Sequence, residues 1–153
     1  MNAMRALLDT NVLIDILTGR PPEAEDAARL VVMQAMGDIE LWISAKSFTD
    51  AFYIMNRDGN NESAAIQQAF VKSFEFLNVC AVDGNDIRAT AERSWPDFED
   101  CLIDVCSEKI KADYLLTRDK DGFKRSRTTV MKPKELFLYL EEQLGLTYEI
   151  FEW

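Results

Sequence analysis

The chain is organised around residues 95–121, WPDFEDCLIDVCSEKIKADYLLTRDKD, which predict a helix followed by a buried strand. Acidic residues stand at the start of this helix and just past the end of the strand. Asp97, Asp100 and Asp104 fall along one helical face because they are three and four residues apart. Like charges on one face destabilise a helix, and a bound cation would relieve their repulsion. This stretch is therefore a candidate cation site.

The length and composition indicate a globular protein that stays inside the cell. The 153 residues have the size of one domain, and we expect residues 1–153 to form it, with 146–153 as a C-terminal tail. No apolar run reaches the roughly 18 residues of a membrane span, and the first residues lack the apolar core of a signal peptide. Cys80, Cys101 and Cys106 suit buried, reduced thiols better than disulfides. We therefore expect a cytoplasmic protein without a membrane partner.

The chain contains no histidine, which limits the chemistry it can perform. This absence excludes Ser-His-Asp triads, cysteine nucleophiles paired with histidine, and zinc sites with histidine ligands. Carboxylates, hydroxyls, lysines and arginines remain, and hard oxygen ligands of this kind suit Mg²⁺ or Mn²⁺. The formal charge of −10 is not that of a simple nucleic-acid coat protein, so binding of RNA would require a local basic patch.

Short apolar strands alternate with amphipathic helices along the chain. Strands are predicted at 5–9, 41–43, 78–82, 113–116 and, more briefly, 128–131. Helices are predicted at 12–17, 23–37, 45–55, 62–76, 83–94, 97–111 and 133–144, with a turn at 58–61. This alternation predicts a three-layer α/β/α sandwich with a mainly parallel sheet. Ligands of such sheets bind at the carboxyl ends of the strands, where Asp9 and Asp119 fall.

Each of the notable acids also has an ordinary structural explanation. Asp9 is suited to be a helix N-cap, a role worth about 1 kcal/mol. Asp97 has the same potential role, and Asp100 then occupies the acidic position of a capping box. Asp119 lies in a turn-rich loop, where a solvated aspartate is common. Asp50 is harder to explain, because a carboxylate within an apolar helix needs a helix edge, a partner or a metal.

Five segments together resemble the PIN-domain family, which includes toxin nucleases of the VapC type. They are, in chain order, Leu7–Leu13, Ile43–Tyr53, Asp97–Leu102, Ala112–Phe123 and Lys132–Phe137. The sequence Leu-Asp-Thr-Asn-Val-Leu near the start and the late Thr-Arg-Asp are the more specific parts of this pattern. The resemblance extends over nearly the whole chain, so it implies the family's α/β/α fold and nuclease activity.

The resemblance also implies the residues of an active site. The catalytic and metal-binding quartet would be Asp9, Asp50, Asp100 and Asp119. Asp97 and Asp121 would be two further metal-binding acids, and Asn11 and Thr117 would be supporting residues. In this assignment Asn11 orients Asp9, and Thr117 supports the site through its hydroxyl. Two departures stand out: Asp50 replaces the family's usual Glu, and Asp119 replaces a frequent Asn, so that Asp119 and Asp121 exchange roles.

The expected reaction is hydrolysis of RNA phosphodiester bonds by water activated at Mg²⁺ or Mn²⁺. Seven of the 17 Lys and Arg residues lie between 118 and 134, and this basic edge is suited to receive the RNA backbone. The predicted RNA-binding residues are Arg118, Lys120, Lys124, Arg125 and Arg127. A solvated basic loop explains them equally well. If the protein is a toxin, the resemblance implies a homodimer neutralised by an antitoxin protein.

Two other classes of function remain open. One is a receiver-type phospho-acceptor domain, which shares the alternating plan, a Thr near Thr117 and a Lys-Pro like Lys132-Pro133. A receiver needs an acidic pair after its first strand, whereas this chain has Asp9-Thr10. The other is a catalytically inert PIN-like module that binds RNA or protein, which the Asp at position 50 favours.

Overall fold

The structure, a computed structural model, describes residues 3–57 and 62–150. Its five strands are β1 (Met4–Leu8), β2 (Ile39–Ser44), β3 (Leu77–Cys80), β4 (Tyr114–Leu116) and β5 (Thr129–Met131). The helices are α1 (Thr10–Thr18), α2 (Ala24–Ala35), α3 (Ala45–Arg57), α4 (Ser63–Ser73), α5 (Gly84–Arg93), α6 (Phe98–Lys109) and α7 (Pro133–Leu144), with a 3-10 helix at Lys120–Phe123.

The strands form one parallel sheet in the order β3-β2-β1-β4-β5, and helices cover both faces. The predicted α/β/α sandwich is therefore confirmed. Receiver domains have the order 2-1-3-4-5 instead. Since β1 here lies between β2 and β4, the receiver alternative is wrong. A strand's place in a sheet depends on which side its crossover helix takes, and local sequence patterns do not encode that choice.

Strand β1 shows why the sheet requires two layers of helices. Ala6 and Leu8 belong to a cluster of buried side chains with α1, α2, α3 and α7. Leu7, which points to the opposite face, belongs to a second cluster with α6 and the 3-10 helix. All three side chains are fully buried. This arrangement explains the uninterrupted apolar run in the sequence, since both faces of a covered parallel strand exclude water.

The predicted elements agree with the structure apart from their ends. Asp9 is the N-cap of α1, and the 3-10 helix forms where the sequence predicted a turn-rich loop. The predicted turn at 58–61 and the aromatic residues Phe151 and Trp153 of the tail lie outside the described residues. Cys80, Cys101 and Cys106 are buried free thiols, as predicted. Within the described residues, no helix is long and apolar enough to cross a membrane.

Candidate active site

The predicted site lies at the carboxyl ends of β1 and β4, near the middle of the sheet. The strand order reverses here, because β2 and β3 lie on one side of β1, and β4 and β5 lie on the other. In open parallel sheets this switch point forms the crevice in which ligands bind. Asp9 follows β1 directly and Thr117 follows β4 directly. Residues 108 positions apart are thereby brought into contact.

Asp9 is fixed by hydrogen bonds to both of its carboxylate oxygens. Oδ1 accepts from the Thr10 N–H at 2.7 Å, and Oδ2 accepts from the Thr117 hydroxyl at 2.7 Å. The residue is only 8% exposed. Burial raises the pKa of Asp9, while the bonds from Thr117 and Thr10 and the nearby charge of Arg118 partly offset this rise. Asp9 is therefore both the cap of α1 and a buried, oriented carboxylate.

The Thr117 hydroxyl links Asp9 to Asp119. Its oxygen accepts a hydrogen bond from the Asp119 N–H at 3.1 Å while its proton is donated to Asp9. Asp119 Oδ1 in turn accepts from the Asp121 N–H at 3.0 Å, which starts the 3-10 helix. The Thr-Arg-Asp sequence thus turns the chain immediately after β4, so that Asp119 remains beside Asp9.

Asp100 lies in the first turn of α6, where Asp97 is the N-cap and accepts from the Asp100 N–H at 3.0 Å. The pKa of Asp100 is raised to about 7, first by burial and then by the negative charges of Asp97, Asp9, Asp119 and Glu99. These carboxylates come from three separate parts of the chain. Negative charge is therefore concentrated at Asp100, and Asp104, predicted on the same helical face, pairs with Arg93 instead.

Gly122 contacts Asp100 directly, a feature that sequence reasoning missed. A Cβ atom at position 122 would lie 2.2 Å from Asp100 Oδ2 and 3.2 Å from its Cγ. Any side chain would displace the carboxylate. In the sequence, Gly122 had only the signal of a turn residue, because nothing local indicates which distant side chain approaches it.

Asp50 is paired with Lys46, which sequence reasoning also missed. The Lys46 Nζ lies 2.8 Å from Asp50 Oδ1 and 3.0 Å from Oδ2, and 3.9 Å from Glu99 Oε1. The four-residue spacing of Lys46 and Asp50 on a helix was the available signal. Asp50 therefore has the partner that a carboxylate on an apolar helix requires.

The donor atoms suit a hard divalent ion, although the side chains do not form a closed cage. Among the residues that the structure describes, no three acids or cysteines are close enough together to hold a metal. Mg²⁺ usually keeps several waters and binds through one or two carboxylates together with substrate phosphates. The oxygens of Asp9, Asp100 and Asp119, with the repulsion acting at Asp100, fit that open type of site.

Three other polar residues, Asn11, Asp121 and Asp104, lie in surroundings that differ from those of Asp9, Asp100 and Asp119. The Asn11 side-chain oxygen accepts from the Arg118 N–H at 3.4 Å, and within the described contacts it makes no hydrogen bond to Asp9. The Asp121 side chain is 86% exposed. Asp104 is fully buried, with Arg93 Nη1 at 2.9 Å, and it also accepts from the Ser126 hydroxyl. Asn11 thus does not orient Asp9 directly, and Asp104 anchors the loop before β5.

The five predicted RNA-binding residues all contact protein groups. Arg118 pairs with Asp15 at 3.0 Å and Lys120 with Glu135 at 3.0 Å, whereas Lys124 lies 4.0 Å from Asp121 and Arg127 lies 3.9 Å from Glu108. Arg125 donates to the carbonyls of Arg93 and Ser94 and lies over the Trp95 ring. Most of these pairs are partly exposed, and exposed pairs contribute little to stability.

Comparison with known proteins decides the family. A family model described as PIN domain matches residues 5–121, which include all but the first residue of β1, the whole of β4 and the predicted acids. The chain belongs to the PIN-domain family. This confirms the resemblance seen in the sequence. No curated protein gives a significant match to this PIN domain.

Solved structures with the same fold include toxin–antitoxin proteins. Rickettsia felis VapBC2, bound to a promoter DNA fragment, matches with a TM-score of 0.63 and 16% identity over 84% of this chain and 98% of the other. Mycobacterium tuberculosis VapC20, a toxin that cleaves the sarcin–ricin loop, matches with 0.62 and 14% over 78% and 94%. A Klebsiella pneumoniae toxin–antitoxin complex matches with 0.59 and 18% over 84% and 97%. At these identities the likeness demonstrates a common fold.

Proposed function

We propose that this PIN domain is a Mg²⁺- or Mn²⁺-dependent endoribonuclease and the toxin of a toxin–antitoxin pair. The observation that carries the proposal is the concentration of Asp9, Asp100 and Asp119 at the switch point of the sheet. Burial and mutual repulsion raise the pKa of Asp100 to about 7 there. Membership of the PIN-domain family supports the same assignment.

A divalent ion bound at these carboxylates would lower the pKa of a water molecule and stabilise negative charge on the phosphate. Asp9, Asp100 and Asp119 are the proposed ligands, with Asp97 and Asp121 as auxiliary acids. A carboxylate of this group would also accept a hydrogen bond from the attacking water. A bond forms from the water oxygen to phosphorus, and the bond from phosphorus to a ribose oxygen breaks. One water proton passes to a carboxylate, and the leaving ribose oxygen takes a proton from solvent.

The protein groups around the acids keep this arrangement rigid. The Thr117 hydroxyl donates a 2.7 Å hydrogen bond to Asp9 and accepts one from the Asp119 N–H. Asp9 and Asp119 therefore keep their relative position before the substrate binds. Gly122 allows the 3-10 helix to lie against Asp100. Such fixed placement lowers the reorganisation needed at the moment of reaction.

The direct test is cleavage of RNA by Asp9→Asn and Asp100→Asn variants in Mn²⁺. Both substitutions keep the shape of the side chain and remove its charge, so we expect cleavage to be lost while the circular dichroism spectrum stays near that of the parent. Asp100→Asn should also keep the urea midpoint, whereas Asp9→Asn should lower it, because Asn has one acceptor oxygen for the two hydrogen bonds that Asp9 accepts. Cleavage at the full parental rate in either folded variant contradicts the proposal.

The second candidate is a PIN-like module that binds RNA or protein without cleaving. The pairing of Asp50 with Lys46 favours it, because this removes one predicted ligand from the acidic cluster. Titration of the protein with Mn²⁺ and a fluorescent RNA separates the two functions. Binding without cleavage at saturating metal supports the inert module, whereas cleavage that requires the metal supports the nuclease.

The partners in this proposal are RNA, an antitoxin protein and a second copy of the chain. The R. felis and K. pneumoniae structures are toxin–antitoxin complexes, which supports an antitoxin. Tyr53 on α3 and Phe74 after α4 are more than half exposed and provide apolar contact area. We assign the protein to the cytoplasm, where its free thiols stay reduced. The molar mass of the purified protein, measured by light scattering, tests whether the chain forms a homodimer.

A further inference from the structure

A lysine forms part of the wall of the acidic site. Lys46 lies in the first turn of α3, and both oxygens of Asp50 are within 3.0 Å of its Nζ atom. The pair borders a small cleft of about 40 Å³ between α1, α3 and α6. Polar groups that line this cleft include those of Thr10, Ser44, Ser47, Glu99 and Asp100. The cleft therefore brings an ammonium group into the neighbourhood of the proposed metal ligands.

The two sides of the site differ in charge. Asp100 faces other carboxylates, whereas the charge of Asp50 is balanced by Lys46. Lys46 is the one basic residue among the described residues that line the cleft. A cation at Asp50 is therefore already supplied by the chain, and a second metal ion is not required to balance that carboxylate.

We propose that the Lys46 ammonium binds a phosphate oxygen of the RNA in this cleft, and that Asp50 positions Lys46 instead of binding metal. This inference rests on the proposed RNA substrate and deepens it. An ammonium has three N–H donors. Two of them contact Asp50, and Glu99 Oε1 at 3.9 Å is beyond hydrogen-bond distance, so one donor is left for a further acceptor. A phosphate oxygen is a suitable acceptor, because charge-assisted hydrogen bonds are the stronger ones.

The exposure of the pair suits substrate binding. The side chain of Lys46 is 40% exposed and that of Asp50 is 26% exposed, so solvent and ligand reach the ammonium while Asp50 limits its movement. A lysine–aspartate pair four residues apart on a helix contributes little to stability by itself. Lys46 can therefore take on a contact with phosphate without a loss of helix stability in α3.

Lys109 provides a matched control elsewhere on the protein. It also pairs with an aspartate, Asp86, at 2.8 Å, and its side chain is 37% exposed. Lys46→Met and Lys109→Met change the net charge equally and each break one lysine–aspartate pair. Lys46→Arg keeps the charge at the cleft.

The first measurement is the salt dependence of RNA binding. Fluorescence anisotropy with a short labelled single-stranded RNA is recorded over a series of salt concentrations. EDTA is present throughout and removes the divalent ion, so that no variant cleaves the probe. We expect Lys46→Met to reduce the slope of log affinity against log salt by about 0.7, the value of one phosphate contact on a single strand. Lys46→Arg and Lys109→Met should keep the parental slope. Equal slopes for Lys46→Met and Lys109→Met overturn the proposal.

The second measurement is Mn²⁺ affinity by calorimetry without RNA. We expect Asp50→Asn to bind Mn²⁺ within about twofold of the parent, and Asp100→Asn to bind at least about tenfold more weakly, since loss of a ligand charge weakens a metal site. Equal weakening in both variants shows Asp50 to be a ligand and overturns the proposal.

The two readouts separate this inference from the proposed function. Neither measurement requires cleavage, so a parent protein that binds RNA without hydrolysing it refutes the nuclease but leaves the Lys46 contact testable. A parent that cleaves RNA while Lys46→Met retains its salt slope refutes the contact and leaves the nuclease intact.

Discussion

Replacing Gly122 by alanine tests whether the position of the Asp100 carboxylate matters. The added methyl group would lie 2.2 Å from Asp100 Oδ2, whereas atoms in ordinary contact are about 3.5 Å apart. The carboxylate must therefore retreat by about 1 Å. A displacement of this size in a catalytic group costs roughly 100-fold in rate. We expect Gly122→Ala to lower Mn²⁺-dependent RNA cleavage by about that factor.

The fold should tolerate this substitution. The atom nearest to the new methyl is the end of a side chain, so Asp100 turns aside while the backbone stays in place. We expect the free energy of unfolding to change by less than about 1 kcal/mol, which urea denaturation measures. Gly84→Ala is the matched control, because a Cβ at Gly84 has no atom within 4 Å. It should leave both cleavage and stability near the parental values.

A double variant tests whether Gly122→Ala acts through the Asp100 carboxylate. Asp100→Asn already removes the charge of this carboxylate, so adding Gly122→Ala should weaken Mn²⁺ binding little further, because the two changes act on one group. Parental cleavage and Mn²⁺ affinity in a folded Gly122→Ala protein would refute the reasoning. So would an equal loss of cleavage in Gly84→Ala.

Three further predictions concern Thr117, Asp100 and Asp104. Thr117→Val should lower the free energy of unfolding by about 2 kcal/mol in urea and weaken Mn²⁺ binding, because Asp9 loses a buried hydrogen bond to a charged group. Mn²⁺ affinity should rise about tenfold per pH unit up to about pH 7 and then level off, because a proton competes with the ion at Asp100 below its pKa. Calorimetry at several pH values measures this slope, which Asp100→Asn should lose. Asp104→Ala should destabilise the protein by about 2 kcal/mol, since Arg93 and the Ser126 hydroxyl lose a fully buried acceptor while Arg93 keeps its pair with Glu108.

Each of these predictions has a control within the chain. Thr90→Val is matched to Thr117→Val, because the buried Thr90 hydroxyl donates only to the Asp86 carbonyl of its own helix. It should not alter Mn²⁺ binding. Asp121→Ala removes a carboxylate whose side chain is 86% exposed, so it should destabilise the protein far less than Asp104→Ala. A Mn²⁺ affinity that stays constant from pH 5 to 7 contradicts the role given to Asp100.

Particular residues show how far sequence reasoning reached. Asp9 was recognised both as a helix cap and as a candidate ligand, and the structure makes it the cap of α1 while leaving it beside Asp119 and Asp100. Asn11 was predicted to orient Asp9, but the Thr10 N–H and the Thr117 hydroxyl make those contacts. The prediction for Asn11 relied on its nearness in sequence, whereas its side-chain oxygen accepts from the Arg118 N–H, which lies 107 residues away in the chain.

The sequence by itself determined the elements, because strand and helix periodicity, caps and turn residues act over a few neighbouring residues. It also indicated the family through the order of its motifs. Only the tertiary structure decided the strand order that excludes a receiver, the contact of Gly122 with Asp100 and the pairing of Arg118 with Asp15. Each of these joins groups distant in the chain, and their meeting depends on how helices cross the sheet. The pairing of Lys46 with Asp50 lies between these cases, since its spacing was visible but its place beside the acidic cleft was not.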